Sequence, residues 1–501
     1  MIDTPLDEIP KINASLRATF ATRKTFPLAW RQHQLLQIAR MLQENHKAFA
    51  DAIYADLGKP AFEVYMTELN LMIDRAIISA KRLPEWAAVK NLENHPDLPA
   101  HQKAWKPRVA PTPKGAALVI SPWNYPLILS IQGTIGAIAA GCTLCLKLSE
   151  VTFNYAGLLQ DLIPKYLDED AVKVVCGSVP EITKVLEQKW DHIFYTGNGT
   201  IARIIAAAAA KHLTPLTLEL GGKSPVIIDP EFDMELAARR VLWGKINNCG
   251  QVCVSPDYAL VTPSSTAAFA ENLKKACASF YPNGSLKSDS YTRIINMQHF
   301  NRIKSLLERT QGKVLMGGGM DEKERRIEPT VVLVKPGDVL LESETFGPIL
   351  TLLEVEDMRA ACEYISAQFV FYLPFWQIDL DPSRSDHPLV LYLFTQNEQL
   401  QQDVRKLTMS GNLIFNDTFM QMDVKVLPFG GVGESGYGRQ VLENTFNCFT
   451  YERTTLEIPV DVEDKIHLRY PPYTAHAFEV ECAPTLNVQI PESSSEGGLV
   501  A

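Results

Sequence analysis

A cysteine and a glutamate, each among glycines and small residues, give the first indication of chemistry in this chain. Glu219 lies in residues 218–223 (LELGGK), and Cys253 ends residues 248–253 (NCGQVC), 34 positions later. A thiolate attacks carbonyl carbon, but a free thiol titrates near ~8.5 and is mostly protonated at neutral pH. A nearby carboxylate can accept a proton from the thiol or from a water. The pair therefore predicts covalent catalysis through a thioester.

An oxyanion site is predicted in residues 121–126 (SPWNYP), which directly follow a predicted strand. Ligands of open α/β folds bind at the carboxyl ends of strands. There the side-chain amide of Asn124 could donate to an oxyanion together with the backbone N–H of Cys253. Taken by itself, an asparagine between two prolines is more simply a turn residue.

Two further segments predict a place for a second substrate at the same sheet edge. Lys147 and Glu150 close the next strand and suit ribose hydroxyls, although a solvated strand end has the same pattern. Residues 194–200 (FYTGNGT) precede an alanine-rich helix, as a phosphate-binding turn does, but the pattern is loose. The literal G-x-G-x-x-G at residues 431–436 lacks a surrounding βαβ unit, although Glu457 follows at a fitting distance. We interpret it as a glycine-rich loop that shapes a pocket.

Alternating strands and helices are predicted to position these residues. Residues 27–90 show the periodicity of surface-packed helices. Beyond them, a doubly wound α/β domain is predicted from strands 115–120, 143–148, 172–175 and 192–194 and helices 126–140, 155–163 and 201–211. A second α/β series with strands 224–228, 258–261, 330–334 and 389–394 is predicted to form a domain around the cysteine.

Composition limits the function classes. The 501 residues carry a net charge of −10, which argues against a general nucleic-acid binder and favours small-molecule substrates. The nine cysteines resemble neither a disulfide framework nor a metal site, so we expect a cytoplasmic, reducing location and buried structural roles for Cys142 and Cys145. Residues 127–146 are uncharged but contain glycines and polar residues, which favours a buried helix and strand over a membrane span. No signal peptide is predicted.

Taken together, the motifs resemble one family over nearly the whole chain, the NAD(P)-dependent aldehyde dehydrogenases. The segments that carry the resemblance occur in the family's order: residues 121–126, 147–150, 218–225, 250–253, 344–348 (ETFGP) and 428–436. Residues 248–258, 211–215 and 469–473 (RYPPY) resemble the class 3 or fatty-aldehyde branch.

The resemblance implies a role for each catalytic candidate. Cys253 would attack the aldehyde, and Asn124 with the Cys253 backbone N–H would hold the oxyanion while hydride leaves for the nicotinamide. Glu219 would activate the water that hydrolyses the thioester, with Glu344 as a second candidate base. Cys249, one turn from Cys253 if the segment is helical, is a competing thiol that the family pattern disfavours.

The resemblance also implies NAD as cofactor, with NADP as the alternative. Glu150 would repel a 2′-phosphate, which favours NAD. The implied cofactor contacts are Trp123, Lys147, Glu150, Gly197, Asn198, Gly199, Thr200, Ile201, Ala202, Glu344 and Phe346.

Two departures from the family pattern stand out. Relatives usually have glycine at the position of Ala202, so its methyl group is expected to weaken or shift cofactor binding. Residues 368–385, which include FVFYLPFW, form an extra segment, and we interpret it as a misjudged splice boundary or a poorly ordered excursion.

The implied architecture is the aldehyde dehydrogenase fold, an α/β fold with three parts in a homodimer. Its parts are a dinucleotide-binding domain (1–97 and 114–220), a catalytic domain (221–423) and a small β bridging unit (98–113 and 424–460) that adds strands to a partner subunit. Residues 475–501 are expected to be a disordered tail without an apolar anchor.

The expected activity is the oxidation of an apolar aldehyde, long-chain aliphatic, aromatic or apocarotenoid, to its acid. A cofactor-independent thiol esterase would use Cys253 and Glu219 but leave Lys147, Glu344 and Phe346 without a role. A catalytically impaired aldehyde- or cofactor-binding protein, inactivated by the extra segment, is the other alternative. The presence of every catalytic residue type disfavours it.

Overall fold

The computed structural model describes residues 1–367, 387–488 and 490. The chain divides into two compact units: residues 1–87 with 111–451, and residues 88–110 with 452–501. The extra segment predicted at 368–385 lies outside the described residues, so its interpretation stays open. The predicted three-domain division also stays a prediction.

The helices of the described residues are α1 (Glu8–Ala21), α2 (Leu28–Glu44), α3 (His46–Leu57), α4 (Ala61–Val64), α5 (Asn70–Trp86), α6 (Pro126–Ala140), α7 (Phe153–Tyr166), α8 (Val179–Leu186), α9 (Gly199–Ala210), α10 (Met234–Ile246), α11 (Pro263–Phe280), α12 (Met297–Arg309), α13 (Val339–Glu342), α14 (Met358–Ala367), α15 (Glu398–Leu407), α16 (Glu443–Cys448), α17 (Glu463–Ile466), α18 (Ala475–Glu481) and α19 (Ala483–Leu486).

The strands are β1 (Lys90–Asn91), β2 (Arg108–Pro113), β3 (Ala116–Ile120), β4 (Thr143–Lys147), β5 (Val172–Val175), β6 (His192–Gly197), β7 (Leu216–Leu220), β8 (Ser224–Ile228), β9 (Pro256–Val261), β10 (Lys313–Met316), β11 (Met320–Asp321), β12 (Arg326–Ile327), β13 (Thr330–Val334), β14 (Ile349–Glu354), β15 (Val390–Phe394), β16 (Asn412–Phe415), β17 (Gly436–Tyr437) and β18 (Thr450–Thr455).

The first sheet has six strands in the order β17-β7-β6-β3-β4-β5, all parallel except β17. Every residue of β3 and β4 is buried, as expected for central parallel strands. Helix α6 is buried along its length except at the partly exposed Leu129, and it ends at Gly141, whose φ of 90° is easily adopted only by glycine. The uncharged stretch 127–146 is therefore a buried helix followed by a strand, as predicted.

The second sheet has seven strands in the order β10-β13-β14-β9-β8-β15-β16, with β10 antiparallel at one edge. Its strands include the predicted runs 224–228, 258–261, 330–334 and 389–394 almost unchanged. These strands are β-branched and leucine-rich, which suits burial on both faces. The two sheets confirm the predicted α/β class. In the described part of the chain, no helix combines the length and hydropathy of a membrane span.

The second unit contains β1 and the start of β2, which pair antiparallel. Glu457 lies in this unit and forms an ion pair with Lys106, the carboxylate and Nζ being 2.7 Å apart. The expectation of disorder from Ala475 is wrong for the first residues, because α18 and α19 occupy 475–486. The Thr474 hydroxyl caps α18 by accepting the N–H of Ala477.

Candidate active site

The loop before β9 gives the two neighbouring thiols different environments. Residues 247–250 form a 3₁₀ turn in which Asn248 and Cys249 have left-handed backbone angles, so the condition that would place the two cysteines one helical turn apart is not met. The Cys249 thiol is fully buried and contacts the Tyr291 hydroxyl at 3.3 Å. Cys253, in contrast, is partly exposed and lines a cavity. Only Cys253 of this pair is therefore available to a substrate.

That cavity, of about 150 Å³, brings together the three predicted catalytic residues, Cys253, Glu219 and Asn124. The remaining wall is mostly apolar and is formed by side chains that include Met66, Leu71, Ile128, Leu129, Trp243, Val252, Phe419, Met422 and Phe429. Apolar walls around a few convergent polar groups are typical of a small-molecule site.

Asn124 is held between the end of β3 and the start of α6. Its Nδ2 donates to the backbone carbonyl of Gln251 at 3.1 Å, and the backbone carbonyl of Asn124 accepts from Nδ2 of Asn248 at 2.8 Å. A carboxamide has two N–H donors, so the second N–H of Asn124 is available to a ligand. The side chain can therefore stabilise an oxyanion in the cavity.

Glu219 lies in β7 with the properties of a general base. Burial raises the pKa of its carboxyl to about 7, and the nearby Cys253 thiol and Thr196 hydroxyl offset part of that rise. Within the described residues, neither carboxylate oxygen has a hydrogen-bond partner. A base works best when its pKa is close to the working pH. Thr196 faces Glu219 across the β6–β7 register and was not among the predicted site residues.

Burial, and then the charges of Glu219 and Glu344, raise the pKa of the Cys253 thiol well above its ordinary value. The protonated thiol is therefore favoured at neutral pH while both carboxylates are ionised. Nucleophilic attack requires loss of this proton. Of Glu219 and Glu344, only Glu219 lines the cavity with the thiol.

Two buried lysines that the sequence did not single out anchor the loop with Glu344 and Phe346. The Nζ of Lys223 pairs with Asp257 at 3.0 Å and donates to the carbonyls of Leu340 and Ser343. The Nζ of Lys245 donates to the carbonyl of Gly347 at 3.2 Å. Burial lowers the pKa of Lys245 to about 8 and raises that of Glu344 well above its ordinary value. Neighbouring charges thus hold the loop in place.

A buried charge network fixes the loops that carry Asn124 and Asn248. Lys59 and Glu68 are both 0% exposed and lie 2.8 Å apart. Glu68 Oε2 accepts the N–H groups of Leu127 and Ile128, the first turn of α6, at 3.0 and 3.2 Å. Glu63 Oε1 accepts the N–H of Asn248 at 2.7 Å. The prediction that residues 27–90 form surface-packed helices misses these contacts.

The residues assigned to a cofactor lie largely at the carboxyl ends of β3, β4 and β6. Asn198 caps α9 by accepting the N–H of Ile201, and a Cβ on Gly197 would lie 2.1 Å from the Tyr195 hydroxyl oxygen. Such a tight turn before a twelve-residue helix fits a diphosphate, which the helix N-terminus attracts. The turn consists of Gly197, Asn198, Gly199, Thr200, Ile201 and Ala202.

The side chains of the other predicted cofactor contacts differ in how accessible they are to a ligand. The Nζ of Lys147 is buried and donates to the carbonyls of Leu148 and Gly177, while Glu150 is exposed. The rings of Trp123 and Phe346 meet edge to face with centroids 5.5 Å apart. The Ala202 methyl group is buried in an apolar cluster under α9. Lys147 and Glu150 could still contact a ribose, and their roles stay predictions.

The glycine-rich loop at residues 431–436 packs against the strand of the candidate base. Gly436 is paired antiparallel with Glu219, and a Cβ on Gly436 would lie 2.0 Å from the carbonyl oxygen of Leu218. The adjoining Phe429, Gln440 and Val441 line the cavity. The loop therefore supports the pocket, while Glu457 pairs with Lys106 in the other unit.

The aldehyde dehydrogenase family model matches residues 6–367 and 384–455, so the match leaves out most of the extra segment. The chain is 38% identical over 471 residues to the dimeric NADP-preferring aldehyde dehydrogenase of Canis lupus familiaris, covering 94% of this chain and 99% of that protein. It is 40% identical over 458 residues to aldehyde dehydrogenase family 3 member A2 of Rattus norvegicus, covering 91% and 90%.

Two further similarities concern a fungal enzyme and a solved structure. The chain is 38% identical to the beta-apo-4'-carotenal oxygenase of Neurospora crassa, covering 94% of this chain and 85% of that protein. The substrate-bound structure of Staphylococcus aureus AldH superimposes with a TM-score of 0.88 at 33% identity, covering 95% and 99% of the two chains.

Proposed function

The chain belongs to the aldehyde dehydrogenase family, and on that premise we propose that it oxidises an apolar aldehyde to the carboxylic acid with NAD or NADP. The observation that carries the proposal is one cavity in which a partly exposed thiol, a carboxyl of pKa about 7 and a carboxamide meet apolar walls. The predicted activity thus has a nucleophile, a base and an oxyanion donor within one site.

In the proposed reaction, Glu219 accepts the thiol proton as Cys253 Sγ bonds to the aldehyde carbon. The carbonyl oxygen becomes an oxyanion that Asn124 and the backbone N–H of Cys253 stabilise. The nicotinamide cofactor, when bound, supplies the hydride acceptor that takes the reaction to the thioester level. After Glu219 has released the thiol proton to solvent, its carboxylate takes a proton from a water whose oxygen attacks the thioester, and the Cys253 thiolate leaves as the acid forms.

The substrate class is supported by the apolar cavity wall and by the name of one relative. Family 3 member A2 is named only as an aldehyde dehydrogenase, whereas the fungal relative is named for beta-apo-4'-carotenal, a largely hydrocarbon aldehyde. Burial of each methylene of such a substrate contributes about 0.8 kcal/mol, so longer chains should bind more tightly until the cavity is full.

The test is the reduction of NAD and of NADP, followed by absorbance, with aldehydes of rising chain length. We expect turnover by the wild-type protein and none by Cys253→Ala, while Cys249→Ala, which removes the buried neighbouring thiol, keeps turnover. Cofactor binding without turnover of any aldehyde would instead favour the binding-protein alternative. Ester hydrolysis without added cofactor, and no aldehyde oxidation, would favour the esterase.

We also propose a cytoplasmic homodimer. The nine cysteines are all free thiols, which suits a reducing compartment. Leu456, Ile458 and Val460 are 57%, 45% and 98% exposed and follow β18, and such an apolar patch is typical of an interface. Light scattering after size-exclusion chromatography should give a mass twice that of the chain. The double variant Leu456→Lys and Ile458→Lys should give the mass of a single chain.

A further inference from the structure

Arg75 is a buried cation in the wall of the substrate cavity. It lies on α5, is 2% exposed and lines the same cavity as Cys253 and Glu219. Among the described residues, no carboxylate oxygen lies within 4.0 Å of its guanidinium. Asp423 also lines this cavity, but its carboxylate lies beyond that distance. Buried arginines are normally paired, so one without a carboxylate in contact requires an explanation.

The hydrogen bonds of Arg75 leave part of the guanidinium unused. One terminal nitrogen donates to Gln132 Oε1 at 2.8 Å and the other to the carbonyl of Met422 at 3.0 Å. The Nε–H has no hydrogen-bond partner among the described residues. A guanidinium has five N–H donors, so both of these bonds can persist while donors remain for a ligand.

The surroundings of Arg75 keep it charged and oriented. Burial lowers its pKa to about 10, which leaves it protonated at neutral pH, and the more distant Asp423 and Asp74 favour the charged form. Asp74 itself is paired with Lys425. Gln132, which accepts from Arg75, also donates to Thr445 Oγ1 at 2.6 Å. These contacts form a polar strip that fixes the guanidinium within the apolar cavity.

A purely structural role explains this arrangement poorly. A neutral donor side chain could link α5 to Gln132 and Met422 without burying a charge, because Arg75 contacts only an acceptor oxygen of each. A guanidinium, in contrast, matches a carboxylate in charge and can bind it with two parallel hydrogen bonds.

We propose that Arg75 binds a carboxylate at the end of the substrate remote from the aldehyde, so that the preferred substrates are ω-oxo acids with an apolar chain. The inference rests on the proposed function, because it assumes that the aldehyde end reaches Cys253. Oxidation of such a substrate yields a dicarboxylic acid. In this arrangement the apolar part of the wall accommodates the chain, Cys253 the aldehyde and Arg75 the carboxylate.

The first test compares an ω-oxo acid with its methyl ester and with the unsubstituted aldehyde of equal chain length. We expect the wild-type kcat/KM to favour the acid by roughly 10–100-fold, the value of one charge-assisted hydrogen-bonded contact. Arg75→Gln should remove this preference mainly through KM, so that the acid and its methyl ester react with similar kcat/KM values. Arg82→Gln, an exposed arginine on the same helix, is the matched control. Equal kcat/KM values for acid and ester in the wild type would overturn the proposal.

A second measurement does not require turnover or a folded Arg75 variant. Calorimetric titration of Cys253→Ala with the ω-oxo acid and with its methyl ester should show at least tenfold tighter binding of the acid. If no aldehyde is oxidised but this difference persists, the proposed function fails while the Arg75 site stands. Equal affinities would refute the site even if aldehydes are oxidised.

Discussion

Replacing Glu68 by glutamine tests whether the buried charge network supports the active site. The Lys59 ammonium and Glu68 carboxylate are 2.8 Å apart and 0% exposed, so Glu68→Gln leaves a buried lysine without its closest counter-charge. Breaking a buried pair from one side costs about 3–5 kcal/mol. Glu63, whose carboxylate lies 4.0 Å from the same Nζ, offsets part of the loss. We therefore expect a destabilisation near the lower end, about 3 kcal/mol.

The same substitution should also reduce activity. Glu68 accepts two backbone N–H groups at the start of α6, directly after Asn124, and glutamine offers one neutral oxygen in place of a carboxylate. A weaker anchor lets Asn124 move from the oxyanion position, so kcat should fall while cofactor affinity stays the same.

Equilibrium urea unfolding, followed by both tryptophan fluorescence and circular dichroism, measures the stability change and checks whether the transition is two-state. Lys59→Met combined with Glu68→Gln should recover much of the loss, because no unpaired charge remains. Glu85→Gln, which breaks the exposed pair with Arg82 near the end of α5, should be indistinguishable from wild type. A Glu68→Gln protein as stable as Glu85→Gln, or a double variant no better than the single one, would refute the reasoning.

Four further predictions concern single side chains. The rate of thioester hydrolysis should rise with pH and reach half its maximum near pH 7, because Glu219 acts only when ionised. Single-turnover kinetics measure this, and in Glu219→Gln the thioester should form more slowly and its hydrolysis should lack this pH profile. Asn124→Ala should lower kcat about 10²–10³-fold, whereas alkylation of Cys253, measured by mass spectrometry, should continue. The pKa of Lys245 is about 8 in the folded protein and near 10.5 in the unfolded chain, so the unfolded state binds more protons between these two pH values. Stability should therefore rise with pH in this range. The urea midpoint of wild type should show this rise, and that of Lys245→Met should not. Ala202→Gly should cost about 1–2 kcal/mol in unfolding experiments and leave cofactor affinity in titrations unchanged, because the methyl group is buried against the core.

Much of the local structure could be predicted from the sequence. The helix at 126–140 and the strands at 224–228 and 330–334 have the predicted bounds, because long apolar runs flanked by proline and glycine specify both type and length. The candidates Cys253, Glu219 and Asn124 were chosen from short motifs, and all three line one cavity. Their catalytic roles remain to be tested by substitution.

The errors have a common physical origin. The segment between Cys249 and Cys253 was compared with a helix, but Asn248 and Cys249 have left-handed backbone angles. The helical segment 27–90 looked like surface, although Lys59 and Glu68 are fully buried. The tail was expected to be disordered from Ala475, yet Thr474 caps a helix there. Each error concerns a backbone angle or a partner distant in sequence, which hydrophobic periodicity does not report.

The sequence by itself determined the α/β class and the family and predicted the nucleophile, because these depend on periodicity and on short motifs whose chemistry is local. Only the tertiary structure decided which thiol faces the cavity, how far burial shifts the pKa of Glu219, and that Arg75 lines the wall with no carboxylate of the described residues within 4.0 Å. Burial and pairing depend on residues brought together from distant parts of the chain, and the free energy of a charge depends on those neighbours.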